Sequence, residues 1–98
     1  MIITRTPYRL SLFGGGTDYN AWFEEHGGLV IAAAIGYYCY LSVRPLPPFF
    51  EDHTSRVVYS KIESVLKHSD IQHPAVRGCL EYLGSSDGGE IHHDGDLP

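Results

Sequence analysis

The sequence is short of basic residues and has no long apolar run. Its 98 residues include 7 Lys and Arg against 12 Asp and Glu, which gives a formal net charge of −5. A general electrostatic attraction to nucleic acid or to an acidic membrane is therefore not expected. The longest apolar run, 29–43, falls short of the roughly 18 residues of a membrane-spanning helix. We expect no nucleic-acid partner and no membrane partner.

Cysteine is also scarce, with only Cys39 and Cys79 in the chain. A single pair without metal-type spacing is typical of free thiols in a reducing compartment. The first residues lack the charged-then-apolar order of a secretion signal. These features predict a cytoplasmic protein.

The length and composition predict one compact domain. With 43% hydrophobic and 19% charged residues, the chain is too apolar to be natively disordered. A chain of this size buries enough surface for one modest core, but not for two lobes around a cleft.

Local patterns predict a succession of strands and helices. Ser60 and Glu63 have the spacing of a capping box, which indicates a helical turn with Ile62, Val65 and Leu66 facing inward. Pro74 suits the first turn of a helix that ends at Gly84, with Val76, Cys79, Leu80 and Leu83 on its inner face. Before these, the sequence predicts a strand over 2–13 with Pro7 at an edge or bulge, and a short helix capped by Thr17 or Asp18 and stopped at Gly27. Two buried strands within 29–44 are expected to meet near Gly36 at a turn or bulge. A loop from Pro48 to about Ser55 and strands over 56–59 and 90–93 complete the set. This order indicates the α+β class, a mixed β-sheet with helices packed on one face.

The run Gly14-Gly15-Gly16 follows the first predicted strand and precedes a helix start. It fits neither the dinucleotide-binding fingerprint, whose third glycine position is taken here by Tyr19, nor the phosphate loop that ends in Gly-Lys-Ser/Thr. Glycines let a ligand approach the backbone closely. A tight turn without a ligand remains the alternative.

Arg9 and Asp18 flank this glycine run. Strand alternation places Arg9 opposite the apolar face formed by Tyr8, Leu10 and Leu12. The guanidinium could donate hydrogen bonds to a polyol, and the carboxylate could accept them. The structural alternatives are a salt bridge between the two, or Asp18 serving only as a helix cap.

The stretch from Thr6 to Tyr19, TPYRLSLFGGGTDY, resembles the N-terminal sugar-binding motif of the GHMP kinases. Galactokinases of that family have glutamate and histidine where this chain has Gly15 and Gly16. The glycine form is similar to the branch that contains the D-glycero-D-manno-heptose 7-phosphate kinases and fucokinase-like enzymes. A carboxylate would repel a sugar phosphate, whereas bare amides would attract it, so we expect a phosphorylated sugar as substrate.

The resemblance implies an ATP- and Mg²⁺-dependent sugar kinase in which the substrate is bound by Arg9, Gly14, Gly15, Gly16, Thr17, Asp18 and Tyr19. In this family a Leu-Pro like Leu97-Pro98 leads into the nucleotide phosphate loop, which is not found among residues 1–98. The catalytic aspartate and the second lobe are not found either. We therefore expect residues 1–98 to be a single partial domain, the N-terminal portion of such a kinase. It should be inactive alone, bind neither ATP nor Mg²⁺ tightly, and self-associate through surface left exposed.

Two further hypotheses stay open. A small non-catalytic binding or assembly module could retain the same sheet. His92, Asp94 and Asp96 alternate onto one strand face and are metal-competent, but without a fourth ligand we expect a polar strand end and no metal site.

Overall fold

The structure, a computed structural model, describes residues 1–47, 54–85 and 87–98. Within these residues, five strands form one sheet in the order β1-β2-β5-β3-β4. All neighbouring strands are antiparallel except β3 and β5, which are parallel. The elements are β1 (Ile2–Phe13), α1 (Asn20–His26), β2 (Ile31–Pro45), β3 (Ser55–Val58), β4 (Ile62–Val65), α2 (Pro74–Leu83) and β5 (Gly89–Gly95), with 3-10 turns at Gly15–Asp18 and His68–Asp70. The α+β class and the mixed sheet are confirmed.

Strand β1 lies at one edge of the sheet, and its register with β2 shifts between Pro7 and Arg9. Pro7 faces Tyr38 and Arg9 faces Ala34, so Tyr8 alone on β1 corresponds to residues 35–37 on β2. Proline lacks the N–H that a central strand would need, and an edge strand next to a bulge tolerates it. The prediction for Pro7 is confirmed.

The prediction of two buried strands over 29–44 is wrong in their number and burial, but of the turn or bulge expected near Gly36, the bulge is observed. Gly36 lies within the bulged stretch of β2, which continues from Ile31 to Pro45 as one strand. A bulge absorbs the irregularity at this glycine without reversing the chain. Most side chains of β2 are exposed or half-buried, because α2 covers only the half of the strand that pairs with β5.

The predicted helix after Ser60 is also wrong. Residues 62–65 form β4, which pairs with β3 in a hairpin, and the side chains of Ile62 and Leu66 are exposed. Glu63 accepts hydrogen bonds from the N–H groups of Gln72 and His73, at 2.7 and 3.2 Å, and from the Tyr59 hydroxyl at 2.9 Å. In a capping box the carboxylate would instead accept the N–H of Ser60. The observed hydrogen bonds connect β4 to the start of α2.

Helix α2 begins and ends as expected. Pro74 occupies its first turn, and Gly84 ends it in the left-handed conformation at φ 63°. Val76, Cys79 and Leu80 face the sheet, where they line an apolar groove with Leu41 and Ile91. Leu83, predicted to face inward, is 73% exposed because it is the last residue of the helix. The loop predicted from Pro48 lies largely outside the described residues.

The core is small. Among the described residues, only Val57 and Ile71 are fully buried hydrophobic side chains. Tyr8 lies on the face of the sheet that α2 covers, since a Cβ on Gly95 would meet its hydroxyl. Strand alternation puts Leu10 and Leu12 on that same face, beyond the reach of α2, and both are about half exposed. We call Tyr8, Leu10 and Leu12 the apolar strip.

We predict that Glu63→Gln weakens the pH dependence of stability. The N–H of Gln72 is the main cause that holds the pKa of Glu63 below its ordinary value of 4.5; partial burial opposes this, and the Tyr59 hydroxyl and the His73 N–H reinforce it. A lowered folded-state pKa contributes stability above the unfolded pKa, and that stability is lost as pH falls through the folded value.

The measurement is denaturant unfolding from about pH 7 to about pH 3. The wild-type free energy of unfolding should fall more steeply below pH 4.5 than that of Glu63→Gln. Glu81→Gln, at an exposed site on α2, is the control and should behave like the wild type. Parallel wild-type and Glu63→Gln curves would contradict the assignment.

Candidate functional site

The glycine run forms a tight bend at the end of β1. Gly14 has φ +88°, and a Cβ there would lie 2.0 Å from the Leu29 carbonyl oxygen. Only glycine adopts this conformation freely, and only glycine leaves room for that carbonyl. Packing within the protein therefore requires glycine at the first position of the run.

Thr17 connects the bend by hydrogen bonds to the segment that enters β2. Its hydroxyl donates to the Gly14 carbonyl at 2.7 Å and accepts from the Leu29 N–H at 3.2 Å, while its own N–H donates to the Gly14 carbonyl at 2.9 Å. Gly28 packs against it, since a Cβ there would lie 3.1 Å from the Thr17 carbonyl oxygen. Thr17 thus closes the base of the connection between β1 and β2.

The expected cap on α1 is wrong. Tyr19 is the N-cap residue of α1 and makes no side-chain capping bond, because residues 15–18 are taken up by a 3-10 turn. Asp18 ends that turn with an exposed side chain. In the described part of the chain, Asp18 forms no salt bridge with Arg9. Neither structural alternative for Asp18 is therefore observed, and its carboxylate is available to a ligand.

Arg9 and the glycine bend lie on one side of the sheet. Arg9 pairs with Ala34 and Ser11 with Ala32 in unbroken register, so both side chains share the face opposite the apolar strip. A Cβ on Gly15 would lie 3.4 Å from the Ser11 Oγ, which places the bend beside that same face. We call this side of the sheet the Arg9 face.

The Arg9 face also carries Arg5, which has a different environment. Arg5 pairs with Tyr40, and its guanidinium carbon lies 3.7 Å from the centre of the Tyr38 ring. Such stacking holds an arginine side chain against the sheet. Arg9 faces only an alanine across the strand pair, so its guanidinium is free to reach a ligand beside the bend.

The remaining predicted residues are less closely tied to Arg9. No neighbouring heavy atom lies within 4 Å of a Cβ placed on Gly16, so the outer side of the bend is open. Tyr19 is 72% exposed. The structure thus places Arg9 and Ser11 on one strand face with Gly15 beside Ser11. Gly14 and Thr17 hold the bend, and Asp18 and Tyr19 lie at its exposed end.

Ser11 is not among the site residues predicted from the sequence, although the alternation that separates Arg9 from Leu10 also places Ser11 on the same face as Arg9. Gly28 and Leu29, the partners of the bend, are not among them either. The hydrogen bond between Thr17 and Leu29 joins residues 12 positions apart, so no local sequence pattern predicts it.

His92, Asp94 and Asp96 do not converge. The Asp96 carboxylate accepts the Tyr38 N–H at 2.8 Å, Asp94 accepts the Gly95 N–H at 2.8 Å, and His92 contacts Glu90. Across the described ranges, no three His, Cys, Asp or Glu side chains are grouped so that they could hold a metal ion. No helix in these ranges is long and apolar enough to cross a membrane.

Comparison with known proteins gives two relatives with related descriptions. A stretch of 42 residues is 43% identical to D-glycero-alpha-D-manno-heptose 7-phosphate kinase of Campylobacter jejuni, over 43% of this chain and 12% of that protein. The chain resembles a heptose phosphate kinase. The fold is similar to that of a D-glycero-D-manno-heptose 1-phosphate kinase from Bacteroides thetaiotaomicron, with a TM-score of 0.63 and 19% identity.

That structural likeness covers 98% of this chain and 34% of the solved chain, so the protein spans about a third of that relative's length. At this identity the likeness shows the fold alone. No protein-family model matches the chain. The predicted resemblance to heptose phosphate kinases is confirmed in sequence and in fold.

We predict that Gly14→Ala destabilises the protein by more than the roughly 1–2 kcal/mol of a left-handed alanine, because its Cβ would also collide with the Leu29 carbonyl. Gly16→Ala makes the same chemical change two residues away, without a neighbour and without positive φ, and should cost less than about 1 kcal/mol. Thermal and denaturant unfolding of both variants provide the measurement. Equal losses would show that the bend does not depend on this contact.

Proposed function

We propose that this chain is the substrate-binding part of an ATP-dependent kinase of the GHMP type that acts on a phosphorylated heptose. The observation that carries the proposal is the glycine bend beside the Arg9 face, with Arg9 unpaired across the strand and Asp18 used neither as a cap nor in a salt bridge. The names of both relatives, which specify heptose phosphates, support this substrate class.

Different residues bind different parts of the sugar phosphate. The Arg9 guanidinium donates paired hydrogen bonds to phosphate oxygens, which suit its fork of N–H groups. Asp18 accepts hydrogen bonds from sugar hydroxyls, Tyr19 lies beside it, and the backbone at Gly15 and Gly16 lets the ligand approach closely. Gly14 and Thr17 keep this surface in shape.

ATP and Mg²⁺ are expected in the complete enzyme, where they supply the transferred phosphoryl group and its charge stabilisation. The described residues of this chain offer no cluster suited to a metal ion. We therefore propose that this chain binds and orients the sugar, that neither ATP nor Mg²⁺ binds tightly to it, and that it transfers no phosphate alone. An ATP-dependent reaction on a phosphorylated sugar also favours the cytoplasm.

We predict that the 98-residue chain binds heptose 7-phosphate or heptose 1-phosphate more tightly than unphosphorylated heptose. Arg9→Gln and Asp18→Asn should each weaken binding about tenfold or more, because each removes a charge-assisted hydrogen bond. Isothermal titration calorimetry measures the affinities, and circular dichroism verifies that the variants fold.

Two matched controls come from the chain itself. Arg5→Gln alters an arginine on the same strand and face that is stacked on Tyr38. Asp70→Asn alters an aspartate at the end of the other 3-10 turn. Both should bind like the wild type. Equal affinity for phosphorylated and unphosphorylated heptose would show that the site does not recognise the phosphate group. Undiminished binding by Arg9→Gln and Asp18→Asn would show that the ligand binds elsewhere.

A non-catalytic assembly module is the second candidate, and the apolar strip favours it. Leu10 and Leu12 are 55% and 53% exposed on an edge strand, on the same face of the sheet as α2 but beyond its reach. Exposed apolar surface of this kind promotes association, and an unpaired strand edge adds to it.

Sedimentation velocity tests this candidate. The wild type should form concentration-dependent oligomers, and the double change Leu10→Asp with Leu12→Asp should return it to a monomer. Ile62→Asp, at a 65% exposed position on the opposite edge strand, is the control and should leave association unchanged. A wild-type chain that stays monomeric at the highest concentration reached would exclude self-association.

A further inference from the structure

Ser11 is a polar side chain on the Arg9 face. It lies within the motif at 6–19, but none of the roles described above uses it, and packing does not require it. It is exposed on edge strand β1 and pairs with Ala32, whose small side chain leaves the space above it open. In the described ranges, the Ser11 hydroxyl makes no hydrogen bond to another group of the protein. Packing and internal hydrogen bonding therefore do not require a hydroxyl here.

The position of Ser11 relative to Arg9 and the bend is specific. Ser11 follows Arg9 by two residues on one strand face, a separation of about 7 Å along the chain. The Arg9 side chain is long enough to cross that distance, so the guanidinium and the hydroxyl can both contact the same functional group of a ligand. On the other side, Gly15 lies beside Ser11, since a Cβ there would be 3.4 Å from the Ser11 Oγ, in ordinary van der Waals contact. Ser11 thus lies between Arg9 and the glycine bend along β1.

The local charge favours an anion at this point. Residues 8–16 contain no Asp or Glu, and Arg9 is their only formal charge. A serine hydroxyl donates one hydrogen bond, and its strongest acceptor beside a guanidinium is a phosphate oxygen. Asp18, at the far end of the bend, would repel the phosphate and is suited to the sugar hydroxyls.

We infer that Ser11 is a specificity-determining residue whose hydroxyl donates a hydrogen bond to the phosphate group already present on the sugar substrate, together with Arg9. This inference rests on the proposed function and adds to it the residue that distinguishes a phosphorylated from an unphosphorylated sugar.

The test compares heptose 7-phosphate, heptose 1-phosphate and unphosphorylated heptose by calorimetry on the full 98-residue chain. Ser11→Ala should weaken binding of the phosphorylated sugar about tenfold and leave binding of the unphosphorylated sugar unchanged. Ser11→Thr keeps a hydroxyl on a β-branched side chain that suits a strand, and it should retain most of the affinity.

Ser64→Ala is the matched control, since Ser64 is an exposed serine on the strand at the opposite edge of the sheet, and it should bind like the wild type. Wild-type selectivity for the phosphorylated sugar that survives in Ser11→Ala would overturn the inference and leave the proposed function standing. An equal loss for both sugar forms would also overturn it, because the hydroxyl would then contact the sugar. A wild type that binds none of the three compounds would instead refute the proposed function.

Discussion

The approach of the Leu29 carbonyl to Gly14 is the constraint on which the candidate site depends. Because a Cβ would lie 2.0 Å from that oxygen, the chain can turn here only with glycine. Thr17 then bonds both sides of the connection, and the turn is fixed relative to β1 and β2. The bend is thereby held beside Arg9 before any ligand arrives, and a preformed site loses less conformational entropy when it binds.

The sheet separates two kinds of surface. One face carries α2, the apolar groove and the apolar strip; the other carries Arg5, Arg9 and Ser11 beside the bend. Pro7 and Arg9 are two residues apart, and their partners Tyr38 and Ala34 are four apart, so the division into two faces is preserved across the bulge at Tyr8. It extends from Arg5 to Ser11, after which the register shifts again. A polar ligand site and an apolar contact surface can therefore share one edge strand. The two proposed functions accordingly use opposite sides of β1.

Local patterns predicted the features that local physics controls. Strand alternation over 2–13, the proline at the edge, the start of α2 at Pro74 and its end at Gly84 all depend on neighbours within a few residues. The predictions were wrong where a side chain forms its hydrogen bonds with a distant backbone group instead of the local one that its sequence spacing suggests. Glu63 has the spacing of a capping box, but the N–H groups of Gln72 and His73 bind it. Thr17 has the chemistry of a helix cap, but Leu29 and Gly14 bind its hydroxyl. The position of Ser11 on the same strand face as Arg9 could be predicted from alternation alone, but its closeness to Gly15 required the folded bend.

If the glycine bend and the Arg9 face form one surface for a phosphorylated heptose, the ligand should change the environment of the amides at the bend. A backbone amide NMR titration of the 98-residue chain with heptose 7-phosphate measures this directly. The amide signals at Ser11, Gly15, Gly16 and Asp18 should shift saturably, while the signals of β4 and α2 stay in place. Shifts that map to the groove under α2, or the absence of saturable shifts at the bend, would contradict the proposed binding surface.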